Sequence, residues 1–119
     1  MTSLINADTR IKVSSVLNRD TTNYGKQFLI DGQAETCWNS EQGLPQHILL
    51  DFAQPVCVES IEFQFQGGFV GKKCIVVGSQ AEAPNDYNVQ LDTLYPEDIN
   101  SIQTFKLPTA SEPLKRVKI

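Results

Sequence analysis

Alternation of apolar and polar side chains is the feature of this sequence that most constrains its fold. Ile61, Phe63 and Phe65 are apolar, and the residues between them are polar. Successive side chains of a β-strand point to opposite faces, so this spacing predicts a strand with one buried face. Residues 74–77 are apolar throughout, which predicts a central strand covered on both faces. The alternation recurs in residues 47–52, 87–91, 105–107 and 117–119.

Turn signals separate these short segments, which predicts an all-β sandwich or barrel rather than a helical fold. The apolar phase slips between Val58 and Ile61. A β-bulge near residues 59–60 is expected to account for the slip, since one extra residue reverses the facing of those that follow. Residues 96–100 are the candidate for a helical turn, because proline suits a first helical position.

Composition and charge narrow the function classes. The chain has 119 residues and a formal net charge of −4, which indicates one domain over residues 1–119 and argues against direct binding of nucleic acid. The basic end at Lys115, Arg116 and Lys118 alternates with apolar residues. It is interpreted as the solvated face of a strand in preference to a phosphate-binding patch. No apolar run approaches the ~20 residues that span a bilayer.

Two further features bear on the cellular compartment. The first residues lack the basic and apolar regions of a secretory signal, so none is expected. The three cysteines, Cys37, Cys57 and Cys74, are odd in number and widely spaced. They form neither a metal-binding pattern nor an obvious disulfide framework, and they favour a reducing compartment, the nucleus or the cytosol.

Three blocks of the sequence resemble the discoidin, or coagulation-factor C-type, family. Residues 28–40 are similar to its central signature, in which an apolar strand runs into an Asp-Gly turn and a tryptophan follows. Residues 45–52 and 58–64 are similar to its next two strands. The resemblance implies a jelly-roll β-sandwich of the galactose-binding-domain-like type. It also implies a core position for Trp38, with a sugar-stacking platform as the alternative.

A closer resemblance, to a family of small nuclear-receptor-associated proteins, is carried by residues 14–19, 35–40, 64–69 and 95–98. It implies a non-enzymatic interaction module that binds an orphan nuclear receptor, represses it and limits its binding to DNA. Nuclear localisation, with cytoplasm in second place, and no membrane association are implied as well. Family members continue past residue 119 to a closing strand, which this chain is expected to lack, unless Ile119 pairs at a sheet margin.

Two other non-enzymatic functions stay open. One is a subunit of a larger assembly of the intraflagellar-transport kind, and the other is a calcium- or carbohydrate-binding lectin-like domain. An enzyme is not expected, because no nucleophile–base pair is apparent. The lone histidine, His47, is interpreted as a surface or sheet-packed residue rather than a catalytic one.

Candidate binding residues follow from the resemblance, which places the ligand end of the sandwich in residues 18–26, 39–45 and 66–73. Loops at one end of a rigid sandwich commonly carry binding. Phe69 is flanked by glycines. Two interpretations have equal weight: an aromatic anchor that contacts a partner, or a residue that packs under its own loop. The candidate partner-binding residues are Asn18, Tyr24, Asn39, Ser40, Phe69, Lys72 and Lys73.

Asp31 and Thr36 are the candidate metal ligands, because some discoidin relatives hold calcium at this Asp and Thr. Calcium takes carboxylate, hydroxyl and carbonyl oxygens together. The alternative, which is favoured, is that both side chains make only local turn hydrogen bonds. No cofactor is expected to be required.

Overall fold

The computed structural model describes residues 4–33, 35–43, 45–65, 73–107 and 113–119. Within these residues the chain is built mainly from strands, with three short helical segments between the first two. The strands are β1 (Arg10–Val13), β2 (Ile48–Val56), β3 (Ser60–Phe63), β4 (Cys74–Ser79), β5 (Val89–Leu94), β6 (Gln103–Lys106) and β7 (Leu114–Lys118). The helical segments are a 3₁₀ turn (Leu17–Arg19), α1 (Thr21–Tyr24) and a second 3₁₀ turn (Lys26–Leu29).

The described strands form two antiparallel sheets. The larger sheet has the order β1-β2-β7-β4-β5, and the smaller one pairs β3 with β6. Strand β7 is therefore interior: Val117 lies opposite Leu50 of β2 on one side and opposite Gly78 of β4 on the other. The predicted β-sandwich is confirmed by this architecture.

The core lies between the two sheets. Val76 and Leu114 are fully buried, and Val117 is 2% exposed. From the smaller sheet, Phe63 packs against this cluster, and its ring lies 6.1 Å from that of Phe105. The buried cluster consists of Phe52, Val58, Val76, Leu94, Leu107, Leu114 and Val117. Phe52, Leu107 and Val117 are apolar positions of the predicted alternation, and such positions share one face of a strand. Leu94 and Leu114 lie outside the alternating segments.

Two expectations about strands need correction. Strand β4 is interior to its sheet, yet Ile75 is 51% exposed, so only one face of β4 is covered along its whole length. The apolar phase slip is also not a bulge within one strand. The chain leaves the larger sheet after Val56 and enters the smaller one at Ser60, so the inward direction changes with the sheet.

Helical structure also differs from expectation. Residues 96–100 contain no helical turn; they bend, and the Ile99 N–H donates to the Glu97 carbonyl at 3.0 Å. The Gln103 amide occupies both backbone groups of Glu97 at 2.8 Å, which competes with helical hydrogen bonding. The expected apolar strand before Asp31 is instead the second 3₁₀ turn.

Ile119 pairs with the larger sheet, which is one of the two expected alternatives; the missing closing strand stays a prediction. The N–H and C=O of Ile119 both bond to Ile48, at 2.9 and 3.0 Å. Strand β7, which precedes it, is held on both edges.

Gly78 offers a test of the packing beneath β7. A Cβ at this position would lie 2.8 Å from Leu114 Cδ1, so the fully buried Leu114 side chain would have to shift within the packed core. We expect Gly78→Ala to lower the free energy of unfolding by about 1–3 kcal/mol. Chemical denaturation of Gly78→Ala, Leu114→Ala and the double variant measures this. Destabilisations that simply add would contradict the contact, because residues that share a clash should couple.

Candidate functional site

Two of the three predicted binding loops meet at one end of the larger sheet. Strand β1 ends at Val13 and β2 begins at Ile48, and these residues are paired. The chain beyond them is tied together by backbone hydrogen bonds: the Leu17 N–H donates to the Asn39 carbonyl at 2.9 Å, and the Asn39 N–H donates to the Tyr24 carbonyl at 3.3 Å. We call residues 17–26 and 39–43 the loop end.

Trp38 anchors the loop end to the sandwich. Its indole N–H donates to the Ser15 carbonyl at 2.8 Å, just past the end of β1. The side chain is half-buried and lies outside the buried cluster between the sheets. Trp38 was expected in the core. Its ring is largely covered, but it does not belong to the buried cluster between the sheets. Its one polar atom is satisfied within the protein, and this hydrogen bond ties Trp38 to the chain just after β1.

Gln46 organises a polar network beneath the same loops. Its Oε1 accepts from the hydroxyls of Ser14 at 2.5 Å and Ser15 at 2.7 Å. Its Nε2 donates to the carbonyls of Gly43 at 3.1 Å and Glu41 at 3.3 Å. The Ser15 hydroxyl also accepts from the Glu41 N–H at 2.9 Å. Nothing in the alternation pattern pointed to Gln46, which lies just before β2.

The exposed tip of the loop end has an unusual backbone. Asn18 and Arg19 both have φ of 54°, a region that costs a non-glycine residue of order 1–2 kcal/mol. Asparagine tolerates this conformation better than arginine. Two backbone hydrogen bonds hold it: Arg19 N–H to the Val16 carbonyl at 2.9 Å, and Asp20 N–H to the Leu17 carbonyl at 3.0 Å. Arg19 lies within the predicted binding segment 18–26, but it was not one of the named candidate residues.

The following helical turn, α1, is capped by Asp20. The Asp20 carboxylate accepts from the Asn23 N–H at 3.1 Å and from Asn23 Nδ2 at 2.8 Å. These two hydrogen bonds lower the pKa of Asp20 below its ordinary value. The cap therefore keeps a negative charge on the loop end. Thr22, in the middle of α1, is exposed.

The remaining predicted binding residues divide between described and undescribed parts of the chain. Asn39 is half-buried, and its Nδ2 lies 3.3 Å from Cys37 Sγ and 3.4 Å from the Cys37 carbonyl. Ser40 is half-buried and donates to the Glu41 carbonyl at 2.9 Å. Lys73 is exposed. Phe69 and Lys72 lie outside the described residues.

The two predicted metal ligands are adjacent. Thr36 Oγ1 donates to Asp31 Oδ2 at 2.5 Å, and the Gln33 N–H donates to Oδ1 at 2.9 Å. The Thr36 hydrogen bond, followed by that from Gln33, lowers the pKa of Asp31. These are the local turn bonds of the favoured interpretation. Among the described residues, no cluster of three His, Cys, Asp or Glu side chains accompanies Asp31.

Comparison with known proteins places the chain in a family. No protein-family model matches the chain. It is 50% identical over 109 residues to the zebrafish (Danio rerio) protein called nuclear receptor 2C2-associated protein, an alignment that covers 91% of this chain and 74% of that one. The Homo sapiens protein of the same name is 44% identical over 98% of this chain and 81% of its own length. The chain belongs to the nuclear receptor 2C2-associated protein family.

Solved structures similar to this family member are discoidin-type sandwiches. The CBM32-5 module of a Clostridium perfringens protein, in complex with GalNAc-β-1,3-galactose, superposes with a TM-score of 0.79 at 20% identity, covering 98% of this chain and 86% of the module. An F5/8 type C domain from Bacteroides fragilis superposes with a TM-score of 0.78 at 14% identity, over 92% and 78%. At these identities the likeness establishes the fold alone.

One further observation concerns membranes. None of the helical segments in the described parts of this family member has the length and apolar character needed to cross a bilayer.

Thr36→Val tests the source of the lowered pKa of Asp31. The variant removes the main hydrogen bond to the carboxylate, so we expect the pKa of Asp31 to rise toward its ordinary value. Carboxyl-detected NMR titration measures it.

The lowered pKa of Asp31 also makes the free energy of unfolding depend on pH. The folded-state pKa lies below the unfolded one, so the stabilisation is present above the unfolded pKa and is lost as pH falls through the folded one. Thr36→Val should lose less stability than the parent chain over that acidic range. An unchanged pKa of Asp31 would contradict the assignment.

Gln46→Ala tests whether the polar network holds the loop end. Removing the amide leaves both serine hydroxyls and two carbonyls without that partner, so we expect a loss of about 1–2 kcal/mol of unfolding free energy. Hydrogen exchange should show the amides of residues 39–43 losing protection, while those of β4 keep theirs. Uniform loss over both regions would argue against a local role.

Proposed function

We propose that the chain is a non-enzymatic protein-interaction module that binds an orphan nuclear receptor and limits the receptor's binding to DNA. The observation that carries the proposal is the 43–50% identity, over 90–98% of this chain, to proteins named nuclear receptor 2C2-associated protein. That name supports a receptor as the partner; the repressor role, nuclear localisation and absence of enzymatic activity are part of the proposal. The lack of a direct contact with nucleic acid belongs to it as well.

The loop end is the surface we assign to receptor binding. Its two segments are joined by backbone hydrogen bonds and anchored by Trp38 and Gln46. Preorganisation of this kind reduces the entropy lost on binding. The exposed side chains at its tip, Arg19 and Thr22, therefore meet a partner from a backbone that is already ordered by its hydrogen bonds. Asn18, Tyr24, Asn39 and Ser40 belong to the same surface.

A bulky substitution tests the location without assuming the partner's chemistry. Thr22→Trp places an indole on the exposed middle of α1, and Thr104→Trp is the matched control on β6, where the threonine is also exposed. We expect the parent chain and Thr104→Trp to retain purified nuclear receptor 2C2 in a pull-down, and Thr22→Trp to lose at least about tenfold in affinity.

The regulatory part of the proposal is tested by adding the chain to the receptor bound to its DNA element. The fraction of DNA shifted by the receptor should fall with increasing chain, and Thr22→Trp should have little effect. No retention of the receptor by the parent chain at micromolar concentration would reject the proposal. If the chain retains the receptor but does not reduce the receptor's DNA binding, the result would support association and contradict the repressor role.

Calcium binding is a second candidate, favoured by the contact between Asp31 and Thr36. The carboxylate and the hydroxyl would supply two oxygens of the kind calcium prefers, and the Gln33 carbonyl, 3.3 Å from Thr36 Oγ1, is a third oxygen nearby. A ligand that binds only the folded state raises the melting temperature, so millimolar calcium should stabilise the parent chain and not Asp31→Asn. A flat calcium response in the parent chain would eliminate this candidate.

A further inference from the structure

Half of the chain's ten basic residues lie on the outer face of the larger sheet. Ile11 and Val117 are buried in β1 and β7, so the residues that alternate with them point away from the core. Lys115 is assigned to the same outer face because its ammonium lies 3.2 Å from the carboxylate of Asp51, which is the residue opposite Arg116. We call the following residues the basic face: Arg10, Lys12, Lys115, Arg116 and Lys118.

Strand register arranges four of these cations as the corners of a rectangle. Arg10 lies opposite Asp51, which lies opposite Arg116. In the neighbouring row, Lys12 and Lys118 lie on either side of Leu49. Strands are about 4.8 Å apart and rise about 3.4 Å per residue. The corners are therefore roughly 10 Å apart across the sheet and roughly 7 Å apart along it.

Asp51 compensates only the cations nearest to it. Its carboxylate lies 3.2 Å from the Lys115 ammonium and 3.3 Å from Arg116 Nε, and all three side chains are half-buried. Arg116 also donates to Asn85 at 2.8 Å. Asp51 is thus used by β7, while the exposed Arg10 and Lys12 of β1 form no ion pair within the described part of the chain.

The surroundings of the basic face include other groups. Asp8 lines one shallow depression together with Arg10, Asp51 and Lys115. It adds a second acidic group at that margin. Lys118 lies 5.6 Å from the centre of the Tyr87 ring, a cation–π contact that leaves its charge uncompensated. The row that contains Lys12 and Lys118 consequently holds a larger excess of positive charge than the row that contains Arg10, Asp51 and Arg116.

Apolar side chains lie within the same row. Leu49 separates Lys12 from Lys118, and Val77 of β4 follows Lys118 across the sheet. Both are half-buried, and Ile75, two residues before Val77 on the same face of β4, is exposed. The row therefore alternates positive and apolar contact points.

We propose that the basic face binds an acidic protein segment whose carboxylates are interspersed with apolar residues. Carboxylates complement Lys12 and Lys118, and an apolar side chain covers Leu49. A nucleic-acid backbone offers phosphates but no apolar group for that position, so the apolar residues of the row favour a protein segment. The basic face shares no residue with the loop end, so the proposal does not depend on receptor binding there.

The test uses a fluorescein-labelled peptide of four Glu-Glu-Leu repeats and fluorescence anisotropy. A peptide with glutamine in place of each glutamate measures the contribution of charge. Lys12→Glu removes an exposed cation of the basic face, and Lys106→Glu is the matched control, an exposed strand lysine on the smaller sheet. We expect Lys12→Glu to weaken binding of the acidic peptide at least about fivefold, Lys12→Gln to weaken it less, and Lys106→Glu to leave it unchanged.

Several results would overturn the proposal. They are equal affinity for the glutamine peptide, equal weakening by Lys12→Glu and Lys106→Glu, and weakening by Thr22→Trp in place of Lys12→Glu. Tighter binding of a single-stranded DNA oligonucleotide, or of phosphatidylserine vesicles, through Lys12 would replace the acidic protein segment by that polyanion. Lys12→Glu is an exposed substitution, and an unchanged melting temperature identifies a binding effect as local.

Discussion

The structure depends on the insertion of β7 between β2 and β4. Residues 116–118 of β7 pair with β2 on one side and with β4 on the other, so their backbone groups are satisfied on both sides. Its inward side chains Leu114 and Val117 are 0% and 2% exposed. Without β7, the pairs β1–β2 and β4–β5 would be separate two-stranded units, which are marginal in water. One strand therefore unites segments that are distant along the chain.

The same insertion positions both candidate surfaces. Residue Ile119, at the end of β7, bonds to Ile48 and closes the sheet beside the loop end. The outward side chains of β7 join those of β1 across β2, which creates the basic face from residues about a hundred positions apart in sequence. The pairing register of β7 therefore determines both the buried core and the two candidate surfaces.

Fold and family membership constrain function in different ways. The sandwich is shared with carbohydrate-binding modules at 14–20% identity, and one fold serves many functions. The family relationship at 43–50% identity supports a protein partner. The loop end fits that role, because Gln46 and Trp38 order its backbone from beneath while Arg19 and Thr22 stay exposed.

The sequence by itself determined that the fold is an all-β sandwich and which side chains of the alternating segments face inward, although it misjudged Ile75 and Trp38. Alternation at Ile61 and Phe63 reports strand facing because that geometry is local to the backbone. The Asp31–Thr36 contact was likewise predictable over five residues. Only the tertiary structure decided the place of β7, the change of sheet after Val56, and the roles of Gln46 and Arg19. Those depend on which distant strands pair, and strand periodicity is the same for every pairing partner.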